Sequence, residues 1–183
     1  MAVKTVQAIV KGATLTLTYN SATGRYEATV TAPSISSYNN NDGHYFPVTI
    51  KAEDQAGNIT TKDDTDTILG SSLRLRVKEK VAPLIVITYP TASALIVNNK
   101  PVIHWKVTDA DSGVNPDTIG IIIDTGSKVT GSAITKGAVA GGYECSYTPP
   151  EALSDGGHTI KIDASDNDGN AAAQKTVTFK IDT

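Results

Sequence analysis

Apolar and polar residues alternate with a period of two along much of the chain. Successive side chains of a β-strand point to opposite faces, so this alternation predicts strands with one buried and one exposed face. The alternating segments are 14–19, 26–31, 48–53 and 73–78 in the first half, and 103–107, 143–147, 160–164 and 177–181 in the second half. Strands of this kind form antiparallel sheets, and two sheets packed face to face make a β-sandwich. No helical pattern of useful length interrupts them, so the sequence predicts an all-β fold.

A nine-residue motif occurs twice, as AEDQAGNIT at residues 52–60 and as ASDNDGNAA at residues 164–172. The similarity extends upstream, where NDGH at 41–44 matches DGGH at 155–158. The repetition predicts two copies of one fold, and a length of 183 residues is enough for two small domains.

The boundary between the two copies is expected near KEKVAP, residues 78–83. One alternating segment ends there, and the apolar segment 84–88 begins the next domain. The predicted domains are therefore residues 1–80 and residues 81–183.

Three segments carry a family resemblance: DGGHTIKIDASDNDGNAAAQKTVTFKIDT, its weaker copy DGHYFPVTIKAEDQAGNIT, and KVAPLIVITYP. They resemble the bacterial and phage immunoglobulin-like (Big-type) repeats that occur in tandem in adhesins, surface proteins and phage structural proteins. The resemblance implies two tandem immunoglobulin-like antiparallel β-sandwiches, in which the repeated motif closes the last strand pair. The first domain departs from the pattern through the acidic insertion TTKDDTDTILG, which favours an atypical, terminal repeat.

The repeated motif has two interpretations. Asp166, Asp168 and Asn170 place oxygen donors at alternate positions, and Ca²⁺ takes six to eight oxygen ligands. The alternative is a turn, in which Asp and Asn side chains bond nearby backbone amides and Gly adopts a positive φ. The first copy keeps only Asp54 and Asn58, and neither copy has the distal glutamate of an EF-hand, so the sequence favours the turn. Calcium binding stays open as the alternative, and calcium is the one cofactor that the sequence suggests.

Related adhesin repeats bind calcium at domain junctions through acidic linker residues. Here the linker offers one carboxylate, Glu79, between Lys78 and Lys80, which argues against a calcium site at this junction. The acidic loop DADSG at 109–113 and the cluster of aspartates at 63–66 are interpreted as solvated turns.

The loop SSYNNNDGHYF, residues 36–46 and called the contact loop below, has an unusual composition. Tyr, Ser, Asn, Gly and His are the residues that antibody-like contact loops use, because rings supply area and amides supply adaptable hydrogen bonds. Tyr38, Asn40, His44 and Tyr45 are therefore candidates for binding a glycan or protein on a host cell surface. The alternative is that the loop is a flexible connection without a ligand.

The sequence offers little support for catalysis. The three histidines occupy unrelated contexts, and no zinc-binding His pair or nucleophile elbow occurs. Cys145 alternates with Tyr143 and Tyr147, which predicts a buried apolar thiol rather than a nucleophile. Trp105 is the expected anchor of the second core. We therefore expect no enzyme and no catalytic residues.

Charge and hydropathy argue against nucleic acid and membrane as partners. A net charge of -3 gives no reason to expect nucleic acid, and no apolar stretch reaches the length of a membrane span. The N-terminus lacks the apolar region of a signal peptide, which favours a phage or prophage virion (tail or surface) protein.

The expected function is a non-enzymatic structural or adhesive module that displays loops for weak binding to a host surface. Its expected neighbours are further immunoglobulin-like repeats or virion proteins. The alternatives are a fragment of an adhesin on the bacterial cell surface, a carbohydrate-binding accessory module, and a spacer without a ligand.

Overall fold

A computed structural model describes residues 2–183, and these residues form two compact units that divide between Lys78 and Glu79. The all-β prediction is confirmed, because the two units contain fourteen strands and, among residues 2–183, no α-helix. Two short 3-10 turns, Gly70–Leu73 and Gly131–Ala133, are the remaining regular elements of this part of the chain. No helix within residues 2–183 is long and apolar enough to cross a membrane.

Unit 1 is built on one antiparallel sheet with the strand order β3-β2-β1-β4-β5, and β6 pairs with the start of β4. The strands are β1 (Val3–Val10), β2 (Ala13–Asn20), β3 (Arg25–Glu27), β4 (Phe46–Asp54), β5 (Ile59–Lys62) and β6 (Arg74–Leu75). The β1–β2 hairpin turns at Lys11 and Gly12, which have φ of 47° and 79°. Two successive positive φ values suit a two-residue hairpin loop, because their twist matches that of the flanking strands.

Two predicted strands of unit 1 are shorter than the alternation indicates. The segment 26–31 is a strand only to Glu27, and the segment 73–78 only at Arg74–Leu75. The physical reason is strand pairing. β3 pairs only with the last three residues of β2, and residues 28–31 have no ladder partner within the described residues. Val30, which alternation placed on a buried face, is 53% exposed.

Unit 2 is a sandwich of two four-stranded sheets, ordered β10-β13-β14-β8 and β11-β12-β9-β7. The strands are β7 (Leu84–Tyr89), β8 (Leu95–Ile96), β9 (Ile103–Thr108), β10 (Val114–Ile123), β11 (Thr135–Val139), β12 (Gly142–Tyr147), β13 (Gly156–Asp166) and β14 (Lys175–Ile181). All pairs are antiparallel except β8 with β14, which is parallel.

The core of unit 2 draws side chains from both sheets, so burial of one apolar face of each sheet holds the sandwich together. Trp105 on β9 is only 1% exposed, which confirms it as the core anchor. Cys145 on β12 is buried beside it in the same cluster, and burial raises the pKa of its thiol to about 11. A thiol with that pKa stays protonated near neutral pH, as expected for a packing residue.

Two rows of inward-facing side chains lead from this core to polar groups. On β9 the inward-facing residues are Ile103, Trp105 and Val107. Buried Asp109 comes two residues later and continues this row. On β13 the buried row begins at His158 and ends at Asp166. Because the pleat sends every second side chain inward, the core-forming alternation also buries an ionisable group at each end of β13.

Candidate cation site and contact loop

Both copies of the repeated motif close with the same turn. The Oδ1 atom of Asp54 accepts hydrogen bonds from the backbone N–H groups of Ala56 and Asn58, each at 2.9 Å. In the second copy, Oδ1 of Asp166 accepts the backbone N–H of Asn170 at 2.7 Å. The glycines of the two turns have φ of 86° and 95°. The turn interpretation of the motif is therefore confirmed.

Hydrogen bonding in the first turn also sets the charge state of its aspartate. The amide Nδ2 of Asn58 donates to Oδ2 of Asp54 at 2.9 Å. This bond, followed by the backbone N–H bonds, lowers the pKa of Asp54 below its ordinary value. Asp54 is thus the ionised acceptor that the turn requires.

In unit 2 the second turn belongs to a cluster of three carboxylates. Glu79, Asp109 and Asp166 each bring one oxygen to within 4.8 Å of the others. Glu79 is the first residue of unit 2, Asp109 follows β9 in one sheet, and Asp166 ends β13 in the facing sheet. Asp109 and Asp166 are buried, and Glu79 is half-buried. We call this group the acidic cluster.

Backbone amides hold the acidic cluster in place. Oδ1 of Asp109 accepts the N–H groups of Asp111 and Gly113 at 3.1 and 2.8 Å. Oε1 of Glu79 accepts the N–H of Ser112 at 2.8 Å. The loop 109–113 was expected to be a solvated turn. Its amides instead bond the carboxylate of Asp109, its first residue, and the Ser112 amide holds Glu79 beside it.

The predicted metal residues Asp166, Asp168 and Asn170 take different places around the acidic cluster. Asp166 is a member of it. Asp168 instead accepts the backbone N–H of Glu79 through Oδ2 at 3.0 Å, and Asn170 Nδ2 donates to the Glu79 carbonyl at 3.2 Å and to Asp166 Oδ2 at 2.6 Å. These two side chains position Glu79 beside Asp166, so the structure assembles a donor set that differs from the predicted triplet.

The electrostatics of the acidic cluster are unfavourable for three free carboxylates. Burial raises the pKa of Glu79, the N–H and hydroxyl of Ser112 lower it, and the charges of Asp109 and Asp111 raise it again, for a net upward shift. That Ser112 hydroxyl lies close enough to Glu79 to affect its pKa, yet it is fully buried and out of hydrogen-bond geometry with every described residue. A hard cation would relieve the repulsion, and carboxylate and hydroxyl oxygens are ligands of the type that Ca²⁺ and Mg²⁺ take.

Sequence reasoning missed Glu79 and Asp109 as members of a site, although a signal was present. Extending the alternation of β9 by one step reaches Asp109, and extending that of β13 reaches Asp166. When every second residue of a strand is apolar, an acidic residue at the next such position predicts a buried carboxylate. A buried carboxylate needs hydrogen-bond or charge partners. The position of Glu79 had no such signal, because its neighbours come from sequence positions 30 or more residues away.

The contact loop in unit 1 is held by its own hydrogen bonds. The Tyr38 ring stacks on the His44 imidazole with centroids 3.9 Å apart and planes 7° apart, and His44 Nδ1 lies 2.6 Å from the Tyr38 carbonyl oxygen. Asn40 and Asn41 both donate side-chain N–H groups to the Tyr45 carbonyl, at 2.8 and 2.9 Å. The loop is therefore built around a stacked ring pair, and the Asn40 and Asn41 amides brace it through the Tyr45 carbonyl.

Tyr45 ties the contact loop to the acidic insertion. Its hydroxyl donates to Asp64 Oδ2 at 2.8 Å, and the Arg74 guanidinium lies 4.9 Å from the ring centroid. The bond to Asp64, with a smaller effect of burial, raises the pKa of Tyr45. Of the four predicted binding residues, His44 and Asn40 are exposed, whereas Tyr38 and Tyr45 are half-buried.

The strand topology and the shared core of unit 2 define an immunoglobulin-like β-sandwich. The family model of the bacterial Ig-like domain matches residues 92–183, half of the chain. The chain belongs to this bacterial Ig-like domain family, as its motifs predicted.

Several solved structures are similar to the chain at low identity. CopC from Methylosinus trichosporium OB3b is 21% identical, with 55% of this chain and 93% of CopC covered at a TM-score of 0.41. The fibronectin(III)-like modules of Clostridium thermocellum CbhA are 15% identical, with 98% and 78% covered at 0.37. Dimeric latent PorU from Porphyromonas gingivalis is 16% identical, with 99% and 20% covered at 0.47. No curated protein shows significant sequence similarity to the chain.

Proposed function

We propose that the chain is a non-enzymatic structural and adhesive module of a phage or prophage virion protein, and that the contact loop touches the host surface. The observation that carries the proposal is the stacked Tyr38–His44 pair on a loop organised by its own hydrogen bonds. A loop that is already ordered loses little conformational entropy on binding. The alternative setting is a bacterial surface adhesin, in which the same loop would act in the same way.

The ligand class that suits this loop is a glycan. Sugars present hydroxyl groups and apolar ring faces, and the contact loop offers aromatic faces beside the exposed polar side chains of Asn40 and Asp42. A single loop of this size binds weakly. Several copies of the module on one particle would raise the overall affinity without new contacts.

The test removes the rings while keeping the loop backbone. We expect the double variant Tyr38→Ser, His44→Asn to lose at least about fivefold in binding to bacterial cells and isolated cell-wall glycans, since stacking on rings contributes on the order of 1 kcal/mol or more. Asn tolerates the φ of 58° found at position 44. Binding is measured by pull-down of the labelled protein.

The matched control is Tyr19→Ser, which removes a ring that is 56% exposed elsewhere on unit 1. Saturable binding lost in the double variant and kept in the control supports adhesion through the contact loop. Equal binding of all three proteins would contradict it, and absence of binding by the parent protein would favour the spacer alternative.

We also propose that the acidic cluster binds Ca²⁺. Two observations support it: carboxylates from three separate segments lie within 4.8 Å of one another, and the buried Ser112 hydroxyl beside Glu79 meets no partner in hydrogen-bond geometry within the described residues. Glu79, Asp109 and Asp166 would hold the ion. Its charge would offset their mutual repulsion and fasten the start of unit 2 to the ends of β9 and β13, which stiffens the module.

Thermal melting with calcium and with a chelator tests the ion. At a calcium concentration of 100 times Kd, binding adds about 2.7 kcal/mol of stability, which corresponds to roughly 10 °C or more for a domain of this size. We expect that shift in the parent protein, its loss in Asp109→Asn, and its retention in Asp117→Asn, where the carboxylate is exposed on β10. A melting temperature of the parent protein that does not respond to calcium would rule the site out.

A further inference from the structure

His158 is a buried histidine with two hydrogen-bonding contacts. It lies at the start of β13, is 7% exposed, and has the Phe179 ring at a centroid distance of 5.6 Å. Its Nδ1 atom is 2.8 Å from Oδ2 of Asp124, and its Nε2 atom is 2.8 Å from the carbonyl oxygen of Ser154. At roughly 3.3 Å per residue, it lies about 26 Å along β13 from Asp166 and the acidic cluster.

Both contacts of the His158 ring are acceptors. A backbone carbonyl oxygen can only accept, and an ionised carboxylate can only accept. A neutral imidazole carries one N–H, so it can satisfy one of the two contacts and directs a lone pair at the other. An imidazolium carries two N–H groups and satisfies both.

Asp124 is fixed independently of the histidine. Its Oδ1 atom accepts the Thr159 N–H at 2.7 Å, its own N–H donates to the Thr159 carbonyl at 2.8 Å, and its φ is 52°. The carboxylate therefore cannot turn away without breaking its bond to the Thr159 N–H on β13. The contacts of His158 link that turn, the start of β13 and the segment that contains Ser154.

The charges around His158 come from three elements. Asp124 approaches from the turn after β10, Asp155 lies on the segment before β13, where it accepts bonds from Thr183, and Lys180 on β14 lines the same surface cleft. Burial lowers the pKa of His158, whereas the Ser154 carbonyl and the Asp124 carboxylate raise it, and the net pKa lies above the ordinary histidine value.

We infer that His158 is a pH-sensitive latch: as an imidazolium it bonds the segment before β13 to the fixed Asp124 carboxylate, and loss of its proton breaks one of these two bonds. A folded-state pKa above the unfolded value of about 6.5 stabilises unit 2 fully at lower pH. That stabilisation disappears as the pH rises through the folded pKa. The latch is separate from the contact loop and the acidic cluster, so it is independent of the proposed function.

Nitrogen-15 NMR of the histidine rings tests the latch directly. We expect His158 to titrate above pH 6.5, the ordinary value of a histidine, with both ring nitrogens protonated at pH 6. Asp124→Asn should lower the pKa of His158. A His158 that titrates below pH 6.5, or that carries a single ring proton at pH 6, overturns the inference without any variant of His158 having to fold.

Melting at a series of pH values, with chelator present, gives the second readout. We expect His158→Gln to lower the Tm of unit 2 at pH 5.5 and to have a smaller effect at pH 9. Glu79 titrates in every protein, so its contribution cancels in the difference from the parent. A Tm difference for His158→Gln that is the same at all pH values would mean that the residue is merely structural.

Discussion

At the scale of single residues, two turns with the same motif have different surroundings. Asp54 bonds Ala56 and Asn58 within its own turn. Asp166 makes the equivalent bond to Asn170 and in addition faces Glu79 and Asp109. The motif therefore specifies a local hydrogen-bonding pattern, and the elements packed against it decide whether its carboxylate also belongs to a cluster.

A glycine of the second turn provides the residue-scale prediction. Gly169 has φ of 95°, and a Cβ there would meet nothing within 4 Å, so Gly169→Ala isolates the backbone cost. We expect a loss of at least about 1 kcal/mol in unfolding free energy, because an L side chain is strained at that φ. Urea unfolding followed by Trp105 fluorescence measures it.

Gly157→Ala is the control for this substitution. Gly157 also has open space around a Cβ and lies in a strand without a positive φ, so alanine there should change stability little. Equal losses of unfolding free energy in the two variants would show that tolerance of a positive φ is not the reason for glycine at position 169.

At the scale of elements, alternation predicted six strands that have a ladder partner along their length. β2, β4, β9, β12, β13 and β14 coincide with alternating segments. β10 was not predicted, because Pro116 and Gly120 interrupt it and read as strand breakers. The register of β10 with β13 shifts between Asn115 and Gly120, and the Thr118 hydroxyl fills the gap by accepting the Ser165 N–H at 2.8 Å. Pro and Gly within a strand are compatible with a bulge as well as with a break, and only the pairing with β13 decides between the two.

At the scale of the whole molecule, the two units have unequal cores. Within residues 2–183, the buried apolar residues of unit 1 are Val6, Phe46 and Leu73, whereas a cluster of fifteen fills unit 2. Full burial of a large apolar side chain contributes about 1.5–3 kcal/mol, so the larger core confers the greater stability.

Unit 1 is therefore expected to unfold at a lower urea concentration than unit 2. Trp105 is the single tryptophan and reports on unit 2, whereas far-UV circular dichroism reports on both units. The dichroism transition should begin before the fluorescence transition, with chelator present throughout. Superimposable transitions would show that the two units unfold as one cooperative block.

Sequence alone determined the all-β class, most core strands, the buried roles of Trp105 and Cys145, and the turn at the repeated motif. These features follow from local rules, namely the two-residue period of a strand and the turn chemistry of Asp, Asn and Gly. Only the tertiary structure brought Glu79, Asp109 and Asp166 together, and only it set Asp124 and the Ser154 carbonyl on either side of His158. The physical reason is that burial and charge–charge distance depend on which strands pair and which sheets face each other, and those partners lie far apart along the chain.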